Sequence, residues 1–188
     1  MRALAPVLVI LSVPLLAGMA FHHERRVNEE RLGAIASQIA ERAVEVHCPG
    51  VLQRLVDVSP NAGSVYFDGD GRPANYTQLD GPTCSTLDDF AEGDTGAGDV
   101  IRVARALHVL AHESFHLAGV RNEAEADCFG LQRTAFVARE LGADRAEAQR
   151  LAYIALLERA QTAPADYRSP SCYDGGPLDL DPASSVWP

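Results

Sequence analysis

Residues 99–130 read DVIRVARALHVLAHESFHLAGVRNEAEADCFG, and this stretch decides the expected fold. Its first part predicts a helix over 99–117, because apolar residues recur there at three- and four-residue steps. These residues are Val100, Val103, Leu107 and Leu110. A break is expected at 118–121, followed by a second helix from Glu123 to about Leu141, where Gly142 supplies the stop. The stretch therefore predicts two helices joined by a sharp turn.

The first of these helices carries the motif His112-Glu113-Ser114-Phe115-His116. Residues four apart lie on one face of a helix, so His112 and His116 project their imidazoles to the same point, as two ligands of a metal ion must. Glu113 lies beside the first histidine, where its carboxylate can act as general base towards an attacking water. The motif predicts a Zn²⁺ site with Glu113 as the catalytic residue.

The start of the second helix offers the remaining ligand. Asn122 is a good N-cap, with Glu125 three positions on completing a capping-box pattern. Glu123 and Asp127 then share one helical face: Glu123 is placed to bind zinc, and Asp127 to accept a hydrogen bond from the distal nitrogen of a ligand histidine. Three protein ligands with one open position is a catalytic arrangement. Asp127 is the alternative third ligand.

Residues 122–130 resemble the glutamate-helix motif (E-x-x-x-D) of the gluzincin metallopeptidases. That resemblance implies His112, His116 and Glu123 on zinc, Glu113 as acid and base, and Asp127 as the orienting residue. His116 and Glu123 are closer in sequence than gluzincins usually place these motifs.

The turn itself also echoes another metallopeptidase group. Residues 116–119 resemble the metzincin turn, whose third-ligand position falls here on Asn122, a poor zinc ligand. The gluzincin resemblance covers about twenty residues. The rest of the chain is similar to uncharacterised exported actinobacterial proteins that combine H-E-x-x-H with a tail like residues 166–172.

The N-terminus has the features of an export signal. Arg2 precedes an apolar run over 3–20, and small residues at 18–20 offer a cleavage site. Residues 1–22 are expected to be a signal peptide or an N-terminal membrane anchor, and 23–188 the zincin-like metallopeptidase domain. The protein is thus expected to be secreted, or tethered to the outer face of the cytoplasmic membrane. The net charge of −10 disfavours a nucleic-acid partner.

Four cysteines fit an oxidising compartment. Cys48, Cys84, Cys128 and Cys172 have no C-x-x-C spacing, so a zinc knuckle is not indicated. Of the three connectivities, Cys48–Cys84 with Cys128–Cys172 is favoured, because each bridge would then hold together one half of the domain.

The remaining segments complete an α+β, mainly helical domain, zincin-like, with a short strand region before the active-site helix. A helix is expected over 25–46, two or three strands over 51–79, a connector over 88–98 and a third late helix over 144–160. The tail after Pro164 is expected to be irregular. Asp68-Gly69-Asp70-Gly71 indicates a turn in preference to a calcium loop.

Three further residues are candidates for the site. His108 lies one turn before His112, as a transition-state donor or, in the plainer and favoured interpretation, a partly exposed helix residue. If Cys172 is bridged to Cys128, Tyr167 or Arg168 would lie near enough to stabilise an oxyanion, and ordinary packing is the favoured alternative.

These features predict zinc-dependent hydrolysis of peptide bonds in a protein or peptide substrate outside the cytoplasm. Cell-wall peptide is a further substrate class, and the strand at 63–67 is the candidate edge for binding extended substrate. One alternative is a non-catalytic, zinc-stabilised exported binding or regulatory domain. The other is a disulfide-linked surface module without metal.

Overall fold

The computed structural model describes residues 25–50, 61–94, 99–184 and 186–188. Five α-helices lie within these ranges, with a short 3-10 helix after the last. They are α1 (residues 25–40), α2 (Gly81–Ala91), α3 (Val100–Leu117), α4 (Glu123–Glu140), α5 (Arg145–Thr162) and the 3-10 helix Ala165–Tyr167. Polar N-caps start α2 to α5, each accepting a backbone N–H three residues on. These caps are Asp80, Asp99, Asn122 and Asp144.

The strands form one small mixed sheet in the order β1-β3-β2. They are β1 (Glu45–His47), β2 (Gly63–Ser64) and β3 (Tyr76–Leu79). Strand β1 runs parallel to β3, and β2 runs antiparallel to it. Strand β2 is therefore an edge strand, and it packs against α3. The molecule is a mainly helical α+β domain with its strands before α3, as the sequence predicted.

Helix α3 lies at the centre of the core. Its Leu107 and Leu110 are fully buried, in one cluster with Leu32 of α1, Leu87 of α2 and Val137 of α4. Of the apolar residues whose periodicity predicted α3, Val103, Leu107 and Leu110 face this core, whereas Val100 at the start of the helix is exposed. The C-terminal half of α3 carries the histidine motif on the side opposite these leucines. Nearly all residues of this half are buried, so the helix that holds the motif is well packed.

The predicted helix over 25–46 is wrong in its last part. The helix ends at residue 40, Glu41 adopts a positive φ of 54°, and residues 45–47 form β1. Val46 is buried while its two neighbours are exposed, which is the alternation of a strand. The hydroxyl of Ser37 accepts the Val44 N–H and so holds the reversal. A left-handed backbone conformation at a single residue leaves no trace in the apolar periodicity. The periodicity alone therefore predicts a helix that continues past Glu41.

The predicted connector over 88–98 is also wrong in its first part, because α2 continues to Ala91. Asp80 caps this helix and a proline stands in its first turn, which is a recognisable start signal. Leu87 and Phe90 are buried. Residues 95–98 lie outside the described ranges, as do residues 51–60 of the predicted strand region.

The turn at 68–71 is confirmed. The Gly71 N–H donates to the Asp68 carbonyl at 2.9 Å, and the Asp68 carboxylate accepts the N–H groups of Asp70 and Arg72. That carboxylate thus holds the local backbone in place.

Two disulfides hold the two halves of the fold, with the pairing favoured from the sequence. Cys48, just after β1, is bridged to Cys84 of α2, and Cys128 of α4 is bridged to Cys172 in the tail. No helix in the described ranges is long and apolar enough to span a bilayer. The predicted signal peptide or anchor at 1–22 lies outside those ranges.

Candidate metal centre

Three side chains bring their donor atoms to one point at the α3–α4 junction. The Nε2 atoms of His112 and His116 are 2.9 Å apart, and each lies 3.2 Å from Oε2 of Glu123. Both histidines are buried, whereas the Glu123 side chain is 39% exposed. The i, i+4 spacing on α3 aligns the imidazoles, and the N-capped start of α4 delivers the carboxylate.

The turn after α3 fixes the orientation of His116. Its Nδ1 is 2.6 Å from the carbonyl oxygen of Val120, a geometry that requires Nδ1 to donate a proton. With Nδ1 as the donor, Nε2 is the ring atom available to a metal ion at the cluster. Gly119, with a φ of +100°, turns the chain so that Val120 comes back over the helix end.

The electrostatics of the cluster favour the deprotonated forms that a metal ion needs. Burial lowers the pKa of His112 and so keeps its imidazole neutral. The hydrogen bond with His112 is the main cause that lowers the pKa of Glu123 to about 2. A metal ion would replace the proton shared in this hydrogen bond, and two imidazole nitrogens and one carboxylate oxygen would then all be ligands of the cation. The group can hold a metal ion.

Asp127 lies on the other side of His112. Its Oδ1 atom is 3.9 Å from Nδ1 of His112, which is beyond hydrogen-bonding distance. It is instead 3.1 Å from Nε2 of His108 and accepts a hydrogen bond from Arg159 at 2.5 Å. Burial alone would raise the pKa of Asp127, but the hydrogen bonds and charges of His108 and Arg159 outweigh it and lower that pKa.

Two predictions about this region need correction. Asp127 faces Nδ1 of His112, not the Nε2 atoms that converge with Glu123, so it lies close to the ligand ring without the predicted hydrogen bond. His108 is 3% exposed and paired with Asp127, so the interpretation as a partly exposed helix residue is wrong. His108, His112 and Asp127 form a second buried group with metal-ligating atoms close together.

Glu113 is buried between α3 and the sheet. Its Oε2 is 3.5 Å from the hydroxyl of Thr77 on β3, and its side chain lies directly against the backbone of Gly63 on β2. Burial, reinforced by the nearby charge of Glu123, raises the pKa of Glu113 to about 8. A carboxyl group with this pKa exchanges a proton near neutral pH.

The cluster opens into a cleft of about 630 Å³. Strand β2 and Phe67 line one wall, and Arg159, Pro164 and Tyr167 line the other. The Tyr167 ring stacks on His112, with centroids 5.7 Å apart and planes at 18°. Arg168, by contrast, donates to the Ala163 carbonyl at 2.8 Å. Of the two tail residues weighed from the sequence, Tyr167 reaches the cleft.

Arg159 and Thr77 were not identified from the sequence, and Gly63 was expected as the start of the substrate-binding strand but not as a neighbour of Glu113. Each of these contacts joins segments far apart in the chain, and none arises from a local motif. The Asp80-Gly81-Pro82 start of α2 was a readable signal, but these three contacts had none. Comparison of the chain with protein-family models, curated proteins and solved structures finds no match.

Proposed function

We propose that this protein is a zinc-dependent peptidase that hydrolyses peptide bonds in a protein or peptide substrate outside the cytoplasm. The observation that carries the proposal is the convergence of His112, His116 and Glu123 next to a buried glutamate in an open cleft. A purely structural metal site has no use for a general base, and Glu113 lines the same cleft as the three ligand residues, which supports a catalytic site.

Zinc is the metal that this donor set favours. Two imidazoles and one carboxylate form a ligand set of catalytic zinc sites. Bonds of about 2.0–2.2 Å in a tetrahedron separate ligand atoms by about 3.3–3.5 Å. The separations of 2.9–3.2 Å between the three donor atoms are close to this range. When bound, zinc would supply Lewis-acid activation of water and polarise the substrate carbonyl.

The residues around the cluster have complementary roles in hydrolysis. Glu113 would take a proton from the attacking water and pass it to the leaving amine. Burial, with Glu123 next in importance, raises the pKa of Tyr167 to about 12, so its hydroxyl remains a hydrogen-bond donor. It can donate to the oxyanion that forms on the substrate carbonyl.

The edge strand supports an extended peptide as substrate. Gly63 and Ser64 line the cleft, and β2 pairs with β3 along only one of its two edges. Main-chain groups at such an edge bind a peptide by adding it as a further strand. Because Gly63 has no side chain, the substrate backbone would pass close to Glu113.

The disulfides support an exported protein. Both bridges fit a protein that folds in an oxidising environment, as export would provide.

The main alternative is a zinc-stabilised exported binding or regulatory domain without turnover. The test compares zinc-loaded wild type, Glu113→Gln and Glu123→Ala on fluorescent casein and on a pool of randomised peptides. The proposal predicts cleavage by wild type, zinc retention without cleavage in Glu113→Gln, and weakened zinc binding in Glu123→Ala. Zinc binding with equal inactivity of wild type and Glu113→Gln would support the binding domain instead.

A further inference from the structure

Arg121 lies at one end of the cleft, in the turn between α3 and α4. Its guanidinium carbon is 5.7 Å from the centre of the Phe67 ring. The other side of the guanidinium approaches Gly71, where a Cβ atom would come within 2.6 Å of Nη1. Gly71 has a φ of +77°, which favours glycine, so the loop makes room for the arginine. The side chain is thus held between an aromatic face and a close-packed turn.

The guanidinium of Arg121 has no acidic partner among the residues that the structure describes. Arg159 also lines the cleft, but its guanidinium is committed to Asp127. Across the described ranges, Arg121 forms no ion pair or hydrogen bond, and its cation–π contact with Phe67 leaves the N–H groups available. Arginine presents these donors in a planar fork that matches a carboxylate. The chain as a whole carries a net charge of −10, but an unpaired cation at this position favours a negatively charged group on the ligand.

The distance from Arg121 to the cluster suits a peptide. The Phe67 ring also contacts His116, with ring centroids 6.1 Å apart. The guanidinium carbon is therefore no more than about 12 Å from the His116 ring, which an extended chain covers in about three to four residues. A group bound by Arg121 would belong to a residue close to the cleaved bond.

We propose that Arg121 binds a carboxylate of the substrate, so that the cleft selects peptides with an acidic side chain two or three residues before the cleaved bond. This inference rests on the proposed function. Strand β2 runs from Gly63, beside Glu113, towards Phe67 and Arg121. A peptide added antiparallel to β2 would run from Arg121 to Glu113, which places the acid on the N-terminal side of the bond.

A free C-terminal carboxylate offers the same chemistry, but it would reach Arg121 only if the peptide were added parallel to β2. The two sources are separated by matched tetrapeptides. One pair is N-acetylated Ala-Ala-Glu-Ala-amide and its glutamine counterpart. The other pair is N-acetylated tetra-alanine as the free acid and as the amide.

The binding test follows the Nε–H signal of Arg121 by NMR while each peptide is added to the full chain. We expect the glutamate peptide to shift this signal and to bind about tenfold more tightly than the glutamine peptide, the size of one charge-assisted hydrogen bond. Arg121→Gln should abolish the preference, and Arg121→Lys should restore part of it because the charge remains without the fork. Arg72→Gln is the control, since Arg72 is exposed in the same loop and pairs with Asp70.

The cleavage test sequences the products that zinc-loaded wild type releases from a randomised peptide pool. Glutamate or aspartate should be enriched two or three residues before the cut, and Arg121→Gln should remove this enrichment without stopping cleavage. Cleavage with no acidic preference, or a preference that survives in Arg121→Gln, would overturn the inference and leave the proposed function standing. Carboxylate binding at Arg121 without any cleavage would overturn the proposed function and leave the binding site standing. No shift of the Arg121 signal with either acid contradicts the inference directly.

Discussion

A Cβ atom on Gly63 would lie 2.6 Å from Cγ of Glu113 and 2.7 Å from its Oε1, so the edge strand and the Glu113 carboxylate are in direct contact. Nothing larger than glycine fits at Gly63 without moving the Glu113 side chain. The strand that we propose to bind substrate therefore sets the position of the proposed general base. In the proposed mechanism, substrate binding and proton transfer would be coupled through this one contact.

Replacing Gly63 should separate turnover from metal binding. We expect Gly63→Ala to displace the Glu113 carboxylate and lower kcat by about tenfold to a hundredfold, as small misplacements of a catalytic group do. Zinc affinity should stay within about twofold, because no ligand contacts Gly63. Gly69→Ala is the matched control, since a Cβ there meets nothing within 4 Å. Equal activity of Gly63→Ala and Gly69→Ala would refute the coupling.

The raised pKa of Glu113 predicts how the stability of the metal-free protein changes with pH. The folded protein holds this proton up to a pKa of about 8, whereas the unfolded chain releases it near 4.5. The unfolded state is therefore favoured progressively as pH rises between these values. Glu113→Gln removes the effect. The free energy of unfolding of Glu113→Gln should exceed that of wild type by close to zero at pH 4 and by on the order of 2–3 kcal/mol at pH 7.

Urea denaturation in the presence of a chelator, repeated from pH 4 to pH 9, measures this difference. Glu125→Gln serves as the control, because Glu125 is an exposed carboxylate in the first turn of α4. A Glu113→Gln advantage that does not depend on pH would show that folding does not raise the pKa of Glu113.

The close approach of α3 and α4 at Gly130 positions the ligands on both helices. A Cβ atom there would lie 3.0 Å from the Cα and N atoms of His112 and 3.1 Å from Cε1 of His108. Gly130→Ala should push the helices apart, lower the free energy of unfolding by about 1–3 kcal/mol and weaken zinc binding. Gly33→Ala in α1 is the control, because its nearest contact of 3.4 Å is ordinary. Similar zinc affinity in both variants would contradict this role.

Tyr167 should contribute to turnover through its hydroxyl. Tyr167→Phe keeps the ring that stacks on His112 and removes only the donor. We expect kcat to fall by about tenfold or more, with KM and zinc affinity little changed, as for loss of one oxyanion donor. Steady-state kinetics beside Tyr153→Phe, an exposed tyrosine on α5, makes the comparison. An unchanged kcat in Tyr167→Phe would assign the tyrosine to packing alone.

The sequence predicted correctly those features that depend on residues close together in the chain. The i, i+4 histidines, the Asn122 cap and the glycine after α3 are short-range features, and each lies in the structure as expected. The boundary of α1 was missed because Glu41 reverses the chain at a single residue with no periodic signal. Local pattern therefore predicted elements better than their ends.

The walls of the cleft were beyond such local patterns. Arg159 reaches Asp127 from a helix whose own sequence shows no site motif, and Thr77 meets Glu113 from a strand 36 residues earlier. Asp127 was expected to orient a ligand histidine, yet its nearest histidine partner is His108. Contacts between side chains on different elements depend on how α3, α4 and α5 pack together. The spacing of residues along the sequence does not predict that packing.

We propose that His112, His116 and Glu123 together bind zinc. The most direct test is the zinc content and affinity of the disulfide-intact protein, wild type beside Glu123→Ala, with Glu125→Ala as the control from the same first turn of α4. We expect one zinc per chain in wild type and in the control, with an affinity at least about tenfold lower in Glu123→Ala. No bound zinc in wild type, or the same affinity in all three proteins, would contradict it.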